Sequence, residues 1–229
     1  VRKLKNALSF AVSYAGGLIL APPYIIAQAL KILEIWYKQY VPYREPKMII
    51  IFNHPKLWEA VFAPILFINE WILAPRKWGP WSTPDQKNLR TKWYWFFWIA
   101  IGRAVLVPRG NKRGVRKAFS RILAILRGGG RVIVFAEGGR TWKGKEWRVS
   151  PKGKKLRPLK SATGRLVERT GASVLPVWVE YAPISQFFRR PLVLVKMGRL
   201  IRFQEGTSHV EVTHTLETAL LQLADEGED

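Results

Sequence analysis

The 229-residue sequence has no cysteine and only three histidines. The first absence excludes disulfides, thiolate metal sites and a cysteine nucleophile, and leaves the compartment open. Three scattered histidines without cysteine give no ligand cluster, so neither a metal nor a bound cofactor is expected. There is no Gly-x-Ser-x-Gly stretch, which excludes the serine elbow built on it. Gly128-Gly129-Gly130 lacks the Lys-Ser/Thr pair of a phosphate loop. Acids are scarce: 16 Asp and Glu stand against 38 Lys and Arg, a formal net charge of +22. No internal repeat or low-complexity segment occurs.

What is present is 48% hydrophobic, enough for one sizeable core and too short a chain for two full domains. A surface this basic seeks polyanions: nucleic acid, anionic lipid or phosphorylated small molecules. Eleven tryptophans tilt the choice toward a membrane–water interface, where an indole keeps its ring dry and its N–H wet. An anionic membrane surface is therefore the expected partner, and nucleic acid is not. Asn6 to Ala29 carries no charge. Pro22-Pro23 splits this run, and the first piece reaches only about 24 Å, short of a bilayer's hydrocarbon core. Two helices, one up to Ala21 and one from Tyr24 to about Tyr40, are expected to dip into one leaflet; a single spanning helix and a hairpin packed on the protein's own core are the alternatives. No small-x-small cleavage site follows, so a removed signal peptide is not expected. The division is residues 1–46 as membrane segment and linker, and 47–229 as the main domain.

Met48 to Phe52 is a near-continuous apolar run and reads as a buried strand. Asn53-His54-Pro55-Lys56-Leu57-Trp58-Glu59 follows it. Pro55 suits a first helical position, and a helix is expected from Leu57 to Leu73, kinked at Pro64. Five residues along a regular helix turn about 140°, so His54 and Glu59 can pair only if His54 lies outside the helix and folds back. A histidine with a carboxylate at the end of a buried strand suggests a base and its orienter.

Pro75 to Asn88 reads as a loop. The aromatic run 93–98 suits either a core helix or a wall for an acyl chain. Val105 to Val107 reads as a short strand leading to Arg109. Asn111 to Leu126 shows helical spacing with glycines at its end. Arg131 to Ala136 reads as a strand, followed by Glu137-Gly138-Gly139-Arg140-Thr141. From Lys143 to Lys160 there are eight basic residues and one acid, Glu146; a solvated loop, a phosphate clamp and a headgroup contact all fit. A helix over 161–170, strands over 174–179, 192–195 and 200–203 (the last two as a hairpin around Gly198) and a helix over 213–223 complete the chain. His209 and His214 read as surface residues. Strands alternating with helices predict an α/β domain with a mixed, partly parallel sheet.

Four stretches in order resemble the glycerophosphate and lysophospholipid acyltransferase family. Asn53 to Glu59 is similar to its Asn-His-x4-Asp box, with Glu59 in place of Asp. Gly102 to Arg109 resembles the second box. Phe135 to Thr141 resembles Phe-Pro-Glu-Gly-Thr-Arg-Ser, with Ala136 for Pro and Gly139 for Thr. Val174-Leu175-Pro176-Val177 resembles the fourth. The resemblance implies acyl transfer from acyl-CoA or acyl-carrier protein, as co-substrate, to a lysophospholipid hydroxyl, foremost lysophosphatidic acid giving phosphatidic acid, at the cytoplasmic face of a membrane. His54 would be the general base and Glu59 its orienter. Arg109, Glu137, Gly138 and Arg140 would bind the acceptor: the arginines its phosphate, and Glu137 a glycerol hydroxyl or Arg140 itself. Donors for the oxyanion are expected from backbone N–H groups after Pro55 or a nearby basic side chain. Glycerol 3-phosphate or an amino-acid lysolipid as acceptor, a non-catalytic membrane-surface protein and a nucleic-acid-binding protein remain the alternatives.

Overall fold

The structure is a computed structural model that describes residues 2–42, 44–56, 59–68, 79–87, 103–108, 110–186 and 191–227. Its centre is a six-stranded mixed sheet. In chain order the strands are β1 (Leu33–Trp36), β2 (Met48–Phe52), β3 (Trp81–Ser82), β4 (Arg131–Phe135), β7 (Ser173–Tyr181) and β8 (Val193–Met197). Across the sheet they run β1-β8-β7-β2-β4-β3. All neighbours are parallel except β7 and β8. A separate two-stranded hairpin pairs β5 (Arg148–Val149) with β6 (Lys155–Leu156). Among the described residues the helices are α1 (Arg2–Ala29), the single turn α2 (Glu59–Phe62), α3 (Lys112–Arg127), α4 (Ala162–Thr170) and α5 (His209–Asp225).

β2 is the central strand, and all five of its residues are buried. Side chains alternate across a strand. Ile49 and Ile51 pack into one core with Ile122 and Leu126 of α3, Leu166 of α4, and Leu216 and Leu220 of α5. Met48, Ile50 and Phe52 pack into the other with Tyr24 of α1 and with Leu66 and Phe67. The result is a sheet with helices on both faces. α3 and α5 have their own start signals: Asn111 caps α3 by accepting from the Gly114 N–H at 3.0 Å, and Ser208 caps α5 by accepting from the Glu211 N–H at 3.2 Å.

The N-terminal segment departs from expectation. It forms one helix that continues through Pro22 and Pro23. Proline's fixed φ is helical, and the bonds it forgoes are those to the carbonyls four residues back, on Leu18 and Ile19. α1 ends at Ala29, and Lys31, two residues on, takes a left-handed φ of 53°. The expected second helix is absent: residues 33–36 instead form β1, the edge strand paired with β8. The sheet thus draws a strand from before the expected boundary at residue 46. No helix among the described residues is long and apolar enough to cross a membrane.

Three further expectations are corrected. The helix over 57–73 is, within the described residues, the turn α2 and a 3-10 turn over Ile65–Phe67, with Pro64 at the break. The loop over 75–88 contributes β3, because Trp81 and Ser82 extend the parallel sheet beside β4. No hairpin turns at Gly198. The chain keeps running antiparallel to β7, with the Gly198 N–H donating to the Pro176 carbonyl and Ile201 bridging Val174.

Candidate active site

β2 ends at Phe52, and the next residue fixes the direction of the chain. Asn53 is buried, and its side-chain amide continues the ladder to β7. Its Oδ1 accepts from the Val179 N–H at 2.7 Å, and its Nδ2 donates to the Val179 carbonyl at 3.0 Å. His54 then follows the alternation of Phe52 and lies against the Phe135 ring, with centroids 4.6 Å apart. The Thr141 N–H donates to the His54 carbonyl at 2.8 Å. The ring is therefore held from β2, β4 and the loop after β4.

Glu59 stands at the start of α2 with a fully buried side chain, while His54 is 12% exposed. Glu59 Oε1 accepts from the Lys56 N–H at 2.6 Å and lies 3.4 Å from His54 Nδ1. The three-residue reach-back to Lys56 is the one a glutamate makes at a helix start. Tyr181, at the end of β7, donates its hydroxyl to Glu59 Oε2 at 3.3 Å. Burial and then the charge of Glu59 push that hydroxyl far above the ordinary tyrosine range, so it stays a donor at any working pH. A carboxylate facing Nδ1 selects the tautomer with its proton there and leaves Nε2 free to accept one. The Lys56 N–H, a donor expected to serve an oxyanion, is already taken by Glu59.

Glu137 is the second buried carboxyl. Its Oε1 accepts from the His54 N–H at 2.6 Å and the Thr141 hydroxyl at 2.8 Å, and its Oε2 accepts from the Arg157 N–H at 3.0 Å. Burial pushes this carboxyl up, and the Thr141, Arg157 and His54 donors oppose that push. The sequence reading gave Glu137 to a glycerol hydroxyl or to Arg140. Its two oxygens tie the histidine box to the loop after β4 and to residue 157. Gly138 makes the turn possible: its φ is +67°, and a Cβ there would press on the Lys160 stem at 3.0 Å. Arg140 is half-buried with its guanidinium 5.4 Å from the centre of the Trp142 ring. Its carbonyl accepts from Arg157 Nη1 at 3.4 Å.

The structure brings His54, Glu59 and Glu137 together, with Gly138 and Arg140 on the loop whose Thr141 N–H holds the His54 carbonyl. Arg109, Gly102 and the aromatic run 93–98 lie outside the described residues. His214 is exposed, and His209 pairs with Glu168 at 3.3 Å on the surface. Among the described residues no group of three or more acids and histidines is placed to hold a metal ion. Sequence reasoning missed Tyr181, Thr141 and Arg157 as parts of the site. Tyr181 is 122 positions from Glu59, and only the sheet order brings β7 beside β2. Thr141 had a signal, since it sits within the third box.

The acyltransferase family profile matches residues 34–180. A search of curated proteins finds no match. Among solved structures, the chain is similar to the crystal structure of the 1-acyl-sn-glycerophosphate (LPA) acyltransferase PlsC from Thermotoga maritima, with a TM-score of 0.58 and 18% identity over 100% of this chain and 99% of that one. At that identity the likeness carries the fold. The profile covers more than half of the sequence, including the His54 and Glu137 boxes, and so the chain belongs to the acyltransferase family and is an O-acyltransferase.

Proposed function

We propose that the protein transfers an acyl chain from a thioester donor, acyl-CoA or acyl-carrier protein, to the free hydroxyl of a lysophospholipid, foremost lysophosphatidic acid. The observation that carries this reading is a histidine at the end of the central strand, backed by a buried carboxylate on Nδ1 and open to solvent by 12% of its side chain. His54 Nε2 takes the hydroxyl proton as the acceptor oxygen attacks the thioester carbonyl. The forming imidazolium is stabilised by Glu59, and the 3.4 Å contact shortens as the ring gains charge. Collapse of the tetrahedral intermediate expels the thiolate, which takes the proton from His54. No enzyme nucleophile is needed. Glu137 is a positioning residue that holds the backbone of His54, and Arg140 and Arg109 serve the acceptor phosphate.

The reading places the protein on the cytoplasmic face of an anionic membrane. α1 supports it. Tyr24 faces the core, while Leu18, Ile19, Ile25 and Ile26, at helical spacing on the other side, are exposed. An apolar face turned outward marks a lipid or protein contact. The test is purified protein with lysophosphatidic acid and acyl-CoA, read by lipid mass spectrometry. Phosphatidic acid with stoichiometric thiol release is expected. Thiol release without acylated lipid, or product only from glycerol 3-phosphate or an amino-acid lysolipid, overturns the acceptor.

A further inference from the structure

The loop after Arg140 is a ridge rather than a slack connection. Residues 147–149 and 155–156 are the two arms of a small hairpin with two distinct faces. Leu156 is fully buried, and its partner across the ladder, Arg148, reaches Glu217 of α5 at 3.7 Å. Trp147 and Val149, one position to either side of Arg148, turn the other way and are 40% and 56% exposed. Val149 is paired with Lys155, whose ammonium lies 5.3 Å from the centre of the Trp147 ring. Trp147 donates its indole N–H to the Thr141 carbonyl at 3.2 Å, beside Trp142. Trp142 is 61% exposed, with the Arg140 guanidinium and the Lys143 ammonium at 5.4 and 5.1 Å from its ring.

The hairpin is anchored from behind. Asp225 at the end of α5 accepts from the Ser150 hydroxyl at 2.6 Å and from the Lys152 N–H at 3.1 Å. A rigid display of apolar tips loses little freedom when it docks. Nothing in the reaction uses these tips.

From this arrangement we infer that Trp142, Trp147 and Val149, ringed by Lys143, Lys145 and Lys155, form a docking ridge for an anionic lipid surface. Indoles seat at the headgroup level, and lysine stems lie along apolar surface while their ammoniums stay among phosphates. The charge is complementary: Arg148 and Lys154 are paired with Glu217 and Glu180, but Lys143, Lys145 and Lys155 are exposed, and Glu146 is the one acid of the 143–160 segment. The ridge begins next to Thr141, whose N–H holds the His54 carbonyl, so the docked surface lies beside the reacting centre. This deepens the reading of a lipid acceptor and rests on it for its purpose, though not for its geometry.

The absence of native cysteine makes a direct test simple. Val149→Cys in the full chain carries a single environment-sensitive fluorophore, and Val210→Cys on α5, also exposed, is the reference. Vesicles of phosphatidylcholine alone are compared with an equal mixture of phosphatidylcholine and phosphatidylglycerol, and acyl transfer is measured in the same preparations. The probe at 149 is expected to shift to the blue and be quenched by lipid-borne quencher on the anionic vesicles only, with no change at 210. Trp142→Ala combined with Val149→Ser should weaken flotation with anionic vesicles by about tenfold or more. A 149 probe that stays in water on vesicles that float the protein overturns the ridge. So does a double variant that floats like the parent, or a shift produced by soluble coenzyme A alone, which would make the ridge a polyphosphate site. A failed probe with intact acyl transfer removes the ridge and leaves the reaction. A shifted probe with no transfer does the reverse.

Discussion

Replacing Glu137 by Gln changes almost no volume and removes one acceptor. Three donors converge on the two carboxyl oxygens: the His54 N–H and Thr141 hydroxyl on one, the Arg157 N–H on the other. An amide has one oxygen to offer. If that oxygen keeps His54 and Thr141, the NH2 group faces the Arg157 N–H, donor against donor. A buried hydrogen bond to a charged group is worth about 1.5–3 kcal/mol. Relief of the charge's desolvation returns part of this, since burial already pushes the carboxyl up. A net cost of about 1–2 kcal/mol lowers the melting temperature of a chain this size by about 2–8 °C. The clash with the Arg157 N–H also displaces the side chain whose oxygen holds the His54 N–H, which loosens the backbone of His54. Misplacement of a catalytic group by about 1 Å costs on the order of a hundredfold, so kcat should fall by about ten- to a hundredfold while the acceptor KM moves by no more than about threefold. Thermal melting and initial rates over a range of lysophosphatidic acid measure both. An unchanged melting temperature with an acceptor KM raised tenfold would show Glu137 touching substrate and refute the positioning argument.

Tyr181→Phe removes the hydroxyl from Glu59 and should lower kcat by about three- to tenfold, with the acceptor KM unchanged. In a Glu59→Asp background the carboxyl is drawn back from Tyr181, so the same change should cost little; additive losses in the double-mutant cycle would contradict the contact. Asp225 is pushed up by its partial burial but is held below the ordinary aspartate range overall, by the Ser150 hydroxyl, the Lys152 N–H and the charges of Lys152 and Lys154. A depressed folded pKa gives stability that is present above the unfolded value of about 3.9 and lost as pH falls through the folded one. Amide exchange over 148–156 should therefore accelerate below the ordinary aspartate range, and Asp225→Asn should show the faster exchange already at neutral pH.

How much was legible in the chain depended on whether a segment's partners were local. β2, α3, β4 and α4 were readable because periodicity, capping residues and glycines sit within each segment. Asn111 and the glycines at 128–130 bound α3 within a residue of expectation. The His54–Glu59 pairing was readable because a buried strand followed by proline forces a turn. β1 was not, since Leu33-Glu34-Ile35-Trp36 is a short stretch directly after a helical run and becomes a strand only because β8 lies alongside. Pro22-Pro23 misled for the opposite reason: two missing donors are tolerable where the carbonyls left over belong to an exposed helical face. The roles of Glu137 and Tyr181 depend on atoms 83 and 122 positions away, and no local pattern contains them.

The central claim is that the free nitrogen of His54 removes a proton from the acceptor. The direct measurement is the single-turnover rate of His54→Ala with lysophosphatidic acid and acyl-CoA, beside its melting curve. The account predicts a loss of about 10²–10⁴-fold with the fold retained. Transfer within a few fold of the parent by that folded variant would contradict it.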